Sequence, residues 1–318
     1  MLQYLVVLLD DKSISFCNYT NKKEKANLMP YDILEKTILF GLKENLMFQF
    51  VYPDFPIPNE YETLIKKTDH TKIKSYELPQ NDTDLVVIDN ISRLNHIKGY
   101  DDKLYIIKCS PEDIGSYLND ITKFMEKTLR LNFIIETPTP FSKDIQDIYK
   151  INLEKLSDNI NKMTQKNKMC QINILTDRLF LKEMNNCGAG MTSITVGPDG
   201  RFYVCPAFYQ AVVTGIEKME LGNVEDGLII KNQRLYQLEF APICRKCDAY
   251  HCKRCIWKNK QATYEVNTPG KNQCITSHLE RNASAYLLKK LKEHSSSFNQ
   301  VVLNIEDCLD PFEKLIRH

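Results

Sequence analysis

The segment CRKCDAYHCKRC, residues 244–255, places four cysteines in twelve positions as a CxxC, four intervening residues and a second CxxC. Thiolates at such spacing are soft ligands that select zinc or iron–sulfur clusters over hard cations. Cys187, Cys205 and Cys274 join Cys244, Cys247, Cys252 and Cys255 to make seven in one region. A single zinc ion takes four of these and leaves three idle. Zinc ribbons also separate their CxxC knuckles by roughly 15–20 residues so that two turns can face one ion. Four residues make that wrap tight. Sharing the ligands between two neighbouring centres relieves the crowding, as in ferredoxins, where the last cysteine of a close run serves the other cluster. Two iron–sulfur centres are the favoured reading and zinc is the alternative. Seven thiols acting only as small buried hydrophobes fit this spacing poorly.

Composition bounds the rest. A chain of 318 residues with 43% hydrophobic and 26% charged residues can bury a large core and is long enough for two domains. A formal charge of +1 gives no footprint for nucleic acid. The apolar run YLVVLL (Tyr4–Leu9) is too short to span a bilayer, lacks a basic flank and a cleavage site, and runs into Asp10-Asp11. It reads as a buried strand. With no export signal, eleven cysteines point to a reduced cytoplasmic protein without a membrane partner, and not to a disulfide framework.

The elements that must position the cysteines follow from periodicity. Strand-like runs lie at Tyr4–Leu9, Met47–Tyr52, Leu85–Asp89, Leu104–Lys108, Asn132–Thr137 and Gln171–Leu175. Helical patterns lie at Tyr31–Asn45, Asn59–Lys67, Pro111–Leu129 and Lys143–Thr164. Strands alternating with helical crossovers imply an α/β fold with a mostly parallel sheet, open or partly rolled into a barrel. The character changes near Cys187: three cysteines precede it in 186 residues and seven fall between 187 and 274. The expected domains are therefore 1–183 and 184–318. In the second, SITV and RFYV flank Gly197-Pro198-Asp199-Gly200, a hairpin that returns Cys205 toward Cys187. A final helix over Thr276–His294 and a short tail that packs back complete the chain.

The spacing from Cys187 through Gly200 and Cys205, then CxxC-x4-CxxC and Cys274, resembles the SPASM domain, the iron–sulfur extension of radical-SAM peptide-modifying enzymes. All seven positions match, with two inner spacings one residue shorter than the usual pattern. The resemblance implies two [4Fe–4S] clusters. Cys244, Cys247, Cys252 and Cys274 would hold one. Cys187, Cys205 and Cys255 would hold the other, with Cys170, His251, a substrate atom or nothing as its fourth ligand.

A radical-SAM enzyme also carries CxxxCxxC after its first strand, where three thiolates hold the cluster that takes S-adenosylmethionine. Here SISFCNYT stands in that place, so that Ser13, Cys17 and Thr20 occupy the three positions. Hydroxyls are poor ligands for soft metals. The N-terminal half is thus expected to be a degenerate radical-SAM-like domain that does not use S-adenosylmethionine, and Cys17→Ala is expected to leave iron content unchanged.

Other motifs say little. GxxxxGK[ST] and HExxH are absent, and Gly188-Ala189-Gly190 has Ser193 where a third glycine belongs. The six histidines, His70, His96, His251, His278, His294 and His318, suggest no base–nucleophile pair. His251 beside Cys252 is expected as a solvent-facing loop residue or a ligand. Arg245, Lys246, Lys253, Arg254, Lys258 and Lys260 either offset cluster charge, meet an acidic leader peptide or form a solvated face. Trp257, the single tryptophan, reads as a core anchor.

Finally, LQYLVVLLDDKSISFCNY, FVYPDFPIP, CDAYHCKRCIWKN and SHLERNAS are similar to segments of the CXXX repeat peptide maturases. That resemblance implies a role in maturing a ribosomally made peptide with cysteine at every fourth residue. The partners it implies are that precursor peptide and a companion radical-SAM maturase, to which the chain would be an iron–sulfur partner. The alternatives are an enzyme that activates a substrate cysteine at an open iron of the three-cysteine cluster, or a structural zinc-binding module.

Overall fold

Short apolar runs become strands and amphipathic stretches become helices across the computed structural model, which describes residues 2–21, 26–211 and 215–303. The strands are β1 (Tyr4–Leu8), β2 (Met47–Val51), β3 (His70–Ser75), β4 (Leu85–Ile88), β5 (Leu104–Cys109) and β6 (Arg130–Ile135). They continue with β7 (Gln171–Ile172), β8 (Ser193–Val196), β9 (Arg201–Tyr203), β10 (Glu220–Asn223) and β11 (Gly227–Leu228). The helices are α1 (Tyr31–Lys43), α2 (Asn59–Ile65), α3 (Asp113–Ser116), α4 (Leu118–Met125) and α5 (Lys143–Gln165). Four more follow: α6 (Asp177–Phe180), α7 (Pro206–Gln210), α8 (Ile256–Thr263) and α9 (Lys271–His294). The expected tail beyond α9 lies largely outside the described residues.

Two compact units form, each from discontinuous segments. The first comprises residues 1–87, 187–242 and 255–268; the second comprises 88–186, 243–254 and 269–318.

In the first unit the strand order is β11-β10-β9-β8-β1-β2-β3-β4. Strands β8, β1, β2, β3 and β4 run parallel, and β9, β10 and β11 extend them antiparallel. β1 is fully apolar because neighbours cover both its edges and its side chains are buried. The expected hairpin forms: Thr195 pairs Tyr203 and Val196 pairs Phe202. Gly200 closes its turn with an amide bond to the Gly197 carbonyl at 2.9 Å and a φ of +74°, a backbone state that favours glycine.

β3 departs from the apolar pattern, with Lys72 and Lys74 on one face of HTKIKS. Both reach Asp82, at 2.8 and 2.7 Å, and Lys72 also reaches Glu62 at 3.1 Å. Their ammonium groups lie over the Tyr52 ring. The paired ammoniums hold the Asp82 carboxyl far below the usual range.

In the second unit β5, β6 and β7 are parallel. β7 is shorter than expected because the Asn173 side chain takes over the pairing: its Oδ1 accepts from the Phe133 amide at 2.7 Å and its Nδ2 donates to the Phe133 carbonyl at 2.8 Å. The single helix expected over Pro111–Leu129 is two. Ser110 Oγ accepts from the Asp113 amide at 3.2 Å, so α3 starts later, and Gly115 lies so close to Asn152 of α5 that an added Cβ would meet its side chain at 2.3 Å. α9 begins five residues before the expected Thr276 and packs along α5. Among the described residues, no helix is long and apolar enough to cross a membrane.

Candidate metal centre

In the first unit, Cys187 opens a tight turn in which the Gly188 carbonyl accepts from the amides of Met191, Thr192 and Ser193 at 2.8–3.0 Å. This turn feeds β8. Cys205 follows β9 and stands at the N-cap of α7, and Cys255 stands at the N-cap of α8. The two helices are locked together by Phe208 and Trp257, whose rings meet edge to face at 5.2 Å. Trp257 is 3% exposed, a core anchor as its sequence context implied.

The sulfurs of these loops are neighbours. Burial pushes the Cys205 thiol well above its ordinary range, and the nearby Cys17, Cys255 and Cys187 push it the same way, against an amide hydrogen bond from Ala207. Burial likewise pushes Cys255 up to about 11, with Cys187 adding and the amides of Lys258 and Trp257 opposing.

Cys17 was not expected here. Its loop follows β1 and is pinned to α7, because Tyr209 donates to the Asp11 carboxylate and Gln210 Nε2 donates to the Asp10 carbonyl at 3.5 Å. Ser15 donates to the Cys17 carbonyl at 3.2 Å and the Tyr19 amide does so at 2.8 Å. Burial raises the hydroxyl pKa of Tyr19, and the sulfurs of both Cys17 and Cys205 add to it. Ser13 and Thr20, the other two positions of the degenerate motif, do different things. Ser13 is buried and donates to the Asp10 carboxylate, whereas Thr20 is exposed.

In the second unit, Cys244, Cys247 and Cys252 are mutual neighbours. Burial pushes Cys244 up to about 12, with Cys252 and Cys247 adding and Arg254 opposing. Burial pushes Cys247 up to about 11, opposed by the Ala249 amide. Ala249 and Arg254 each direct a backbone N–H at a sulfur, of Cys247 and Cys252 respectively, both at 3.4 Å. Cys274 lies in the first turn of α9, and His278 is one turn further along. His278 Nε2 lies 3.3 Å from Cys247 Sγ. Cys247, Asp248 and His278 offer ligand atoms within 4.8 Å of one another. The sequence reading passed over His278, although its four-residue spacing from Cys274 was a usable signal.

Polar bonds fasten this cysteine segment to α9. Arg281 donates to Asp248 Oδ1 at 2.6 Å, and Arg178 Nε donates to the Asp248 carbonyl at 2.6 Å. His251 Nε2 and Glu280 Oε2 lie 3.1 Å apart, and Tyr149 donates to Glu280 Oε1 at 2.8 Å. His251 is therefore buried and not the solvent-facing loop residue expected from sequence. Of the basic residues, Arg254 is also buried and bonds Asn186 at 3.1 Å, while Arg245 and Lys246 face solvent.

Cys170 sits beside Thr128 Oγ1 at 3.8 Å and the Gln171 carbonyl at 3.7 Å. Burial pushes its thiol up to about 11. Alkylation of Cys170 in the folded protein should therefore be slow at neutral pH and rise about tenfold per pH unit up to about pH 10, as the thiolate fraction does. Mass spectrometry after timed labelling checks this; rapid neutral labelling would contradict it.

The donor set suits iron–sulfur clusters: sulfur ligands grouped on turns, with backbone N–H groups aimed at them, the kind of hydrogen bond that tunes cluster potential. Because burial raises the thiols of Cys205, Cys255, Cys244 and Cys247, loading either set releases protons.

No family model matches the chain, and no curated protein matches it. Solved structures do. One, hexahistidine-tagged anSMEcpe with bound AdoMet, aligns at a TM-score of 0.60 and 15% identity over 93% of this chain and 97% of that one. Native anSMEcpe with bound AdoMet and Kp18Cys peptide aligns at 0.59 and 16% identity over 94% and 100%. At such identities the likeness is one of fold: the chain has the α/β fold of radical-SAM proteins.

Proposed function

We propose, from this radical-SAM-like fold as premise, that the protein serves in the maturation of a ribosomally made cysteine-repeat (CXXX) peptide. It does so as an iron–sulfur partner that binds the precursor, relays electrons to a companion radical-SAM enzyme, or both. One observation carries the reading: the seven cysteines fall into two groups, Cys187, Cys205 and Cys255 in one compact unit and Cys244, Cys247, Cys252 and Cys274 in the other. Each group would hold one [4Fe–4S] cluster, which when bound supplies a one-electron carrier.

This chain's own residues contribute the rest. The amides at Ala207, Lys258 and Ala249 favour the thiolate over the thiol. Bonds from Arg281 to Asp248 and between Glu280 and His251 hold the second group's loop in shape. A peptide partner is supported by the Kp18Cys peptide bound in the anSMEcpe structure. The protein is not expected to cleave S-adenosylmethionine, because Ser13 is spent on Asp10 and Thr20 offers only a hydroxyl.

The contact between Cys247 and His278 favours a second reading for the second group, a zinc ion held by cysteines and His278. Iron, sulfide and zinc analysis of anaerobically purified protein, with Mössbauer spectra, separates the two. About eight irons and eight sulfides per chain are expected for two cubane clusters. Stoichiometric zinc without sulfide would overturn the redox role.

A further inference from the structure

The three-cysteine group lacks a fourth protein ligand in the sequence pattern, and the two residues considered for it belong to the other compact unit. Cys170 faces Thr128 and the Gln171 carbonyl, and His251 faces Glu280. The loop that follows β1 supplies a different sulfur. Its base is tied to α7 through Asp11–Tyr209 and Asp10–Gln210, and Cys205 is the residue that starts α7. Phe208 of α7 packs on Trp257 of α8, which starts at Cys255. Cys205 consequently has Cys17, Cys187 and Cys255 around it, all four within one compact unit.

We infer that Cys17 is the fourth ligand of the Cys187, Cys205 and Cys255 centre, so that this site is a closed four-thiolate cage. The inference rests on the reading of those three cysteines as cluster ligands, and it reverses the sequence expectation that Cys17→Ala leaves iron unchanged. Ligation replaces each thiol proton by an iron bond and releases the proton to solvent, with no net redox change. Its functional consequence is specific. A cluster with four protein thiolates has no iron left to take a substrate sulfur, so this centre works as an electron carrier or a fold anchor. Activation of a substrate cysteine at an open iron would belong elsewhere.

The test uses the full chain, purified anaerobically, as wild type, Cys17→Ala and Cys17→Ser. Readouts are iron and sulfide content, EPR of the oxidised and reduced protein, and circular dichroism. Cys17→Ala is expected to lose between about one and about four irons per chain, through a three-iron species or complete loss of that cluster. Cys17→Ser, nearly isosteric, is expected to keep the fold and shift the EPR signal of one cluster. Added 2-mercaptoethanol should leave the wild-type signal unchanged and perturb any cluster retained in Cys17→Ala. The signal of the Cys244, Cys247, Cys252 and Cys274 cluster serves as the internal control for folding.

Wild-type iron, sulfide and EPR in both variants, beside a wild type holding about eight irons, would overturn this inference alone. A wild type that holds zinc, or a single cluster unaffected by Cys205→Ala, would overturn the underlying reading and this inference with it.

Discussion

Arg281→Met is expected to lower the unfolding free energy by about 3–5 kcal/mol, the cost of leaving one member of a buried ion pair alone. The Arg281 side chain is 1% exposed and that of Asp248 is 15% exposed, so solvent can do little to replace the lost 2.6 Å bond. Asp248 Oδ2 has no hydrogen-bond partner among the described residues, so the carboxylate has no second anchor on that side. Asp248 also sits between Cys247 and Ala249, whose amide bonds the Cys247 sulfur. The loss should therefore reach the metal site. Urea titration gives the stability, and EPR on the same sample should show the second unit's centre weakened. A change below about 1 kcal/mol would mean the pair is solvated like a surface salt bridge.

Trp257→Ala should act on the other group of cysteines. Removing a buried aromatic side chain costs about 3–5 kcal/mol through lost burial and the cavity left behind. Here the cavity opens between the two short helices that start at Cys205 and Cys255. The expected signature is destabilisation together with loss or broadening of the signal that Cys205→Ala removes. Trp257→Phe keeps a ring against Phe208 and should cost less than about 2 kcal/mol. If both variants lost the signal equally, the indole would be needed for more than packing.

Much of the fold was legible because it depended on local pattern. YLVVL, MFQFV and LYIIKC announced buried strands, and Gly197-Pro198-Asp199-Gly200 announced the hairpin. β3 was missed since Lys72 and Lys74 look like solvent-facing residues; only Asp82 and Glu62 across the fold make their burial tolerable. The break between α3 and α4 falls at Tyr117, whose φ of −106° and ψ of 18° depart from the helical region, and no apolar periodicity marks it. At the site, spacing marked the close run from Cys244 to Cys255, and the resemblance to the SPASM domain grouped Cys244, Cys247 and Cys252 within it. Two features required tertiary structure: His278 against Cys247, and Cys17 against Cys205, which are brought together across 188 positions of sequence.

The strand order of the first unit also sets a timetable for the growing chain. β1 has β2 on one edge, completed early, and β8 on the other, which is synthesised about 185 residues later. At ribosomal speeds of about 5–20 residues per second, the second edge of YLVVL stays open for about 10–40 s. An apolar strand with an unpaired edge is a template for pairing with another chain. Until β8 arrives, that edge is open to mispairing. On the proposed four-cysteine cage, Cys17 emerges at the beginning of that interval and Cys205 and Cys255 follow β8, so a cluster there would form only after β1 has both its neighbours.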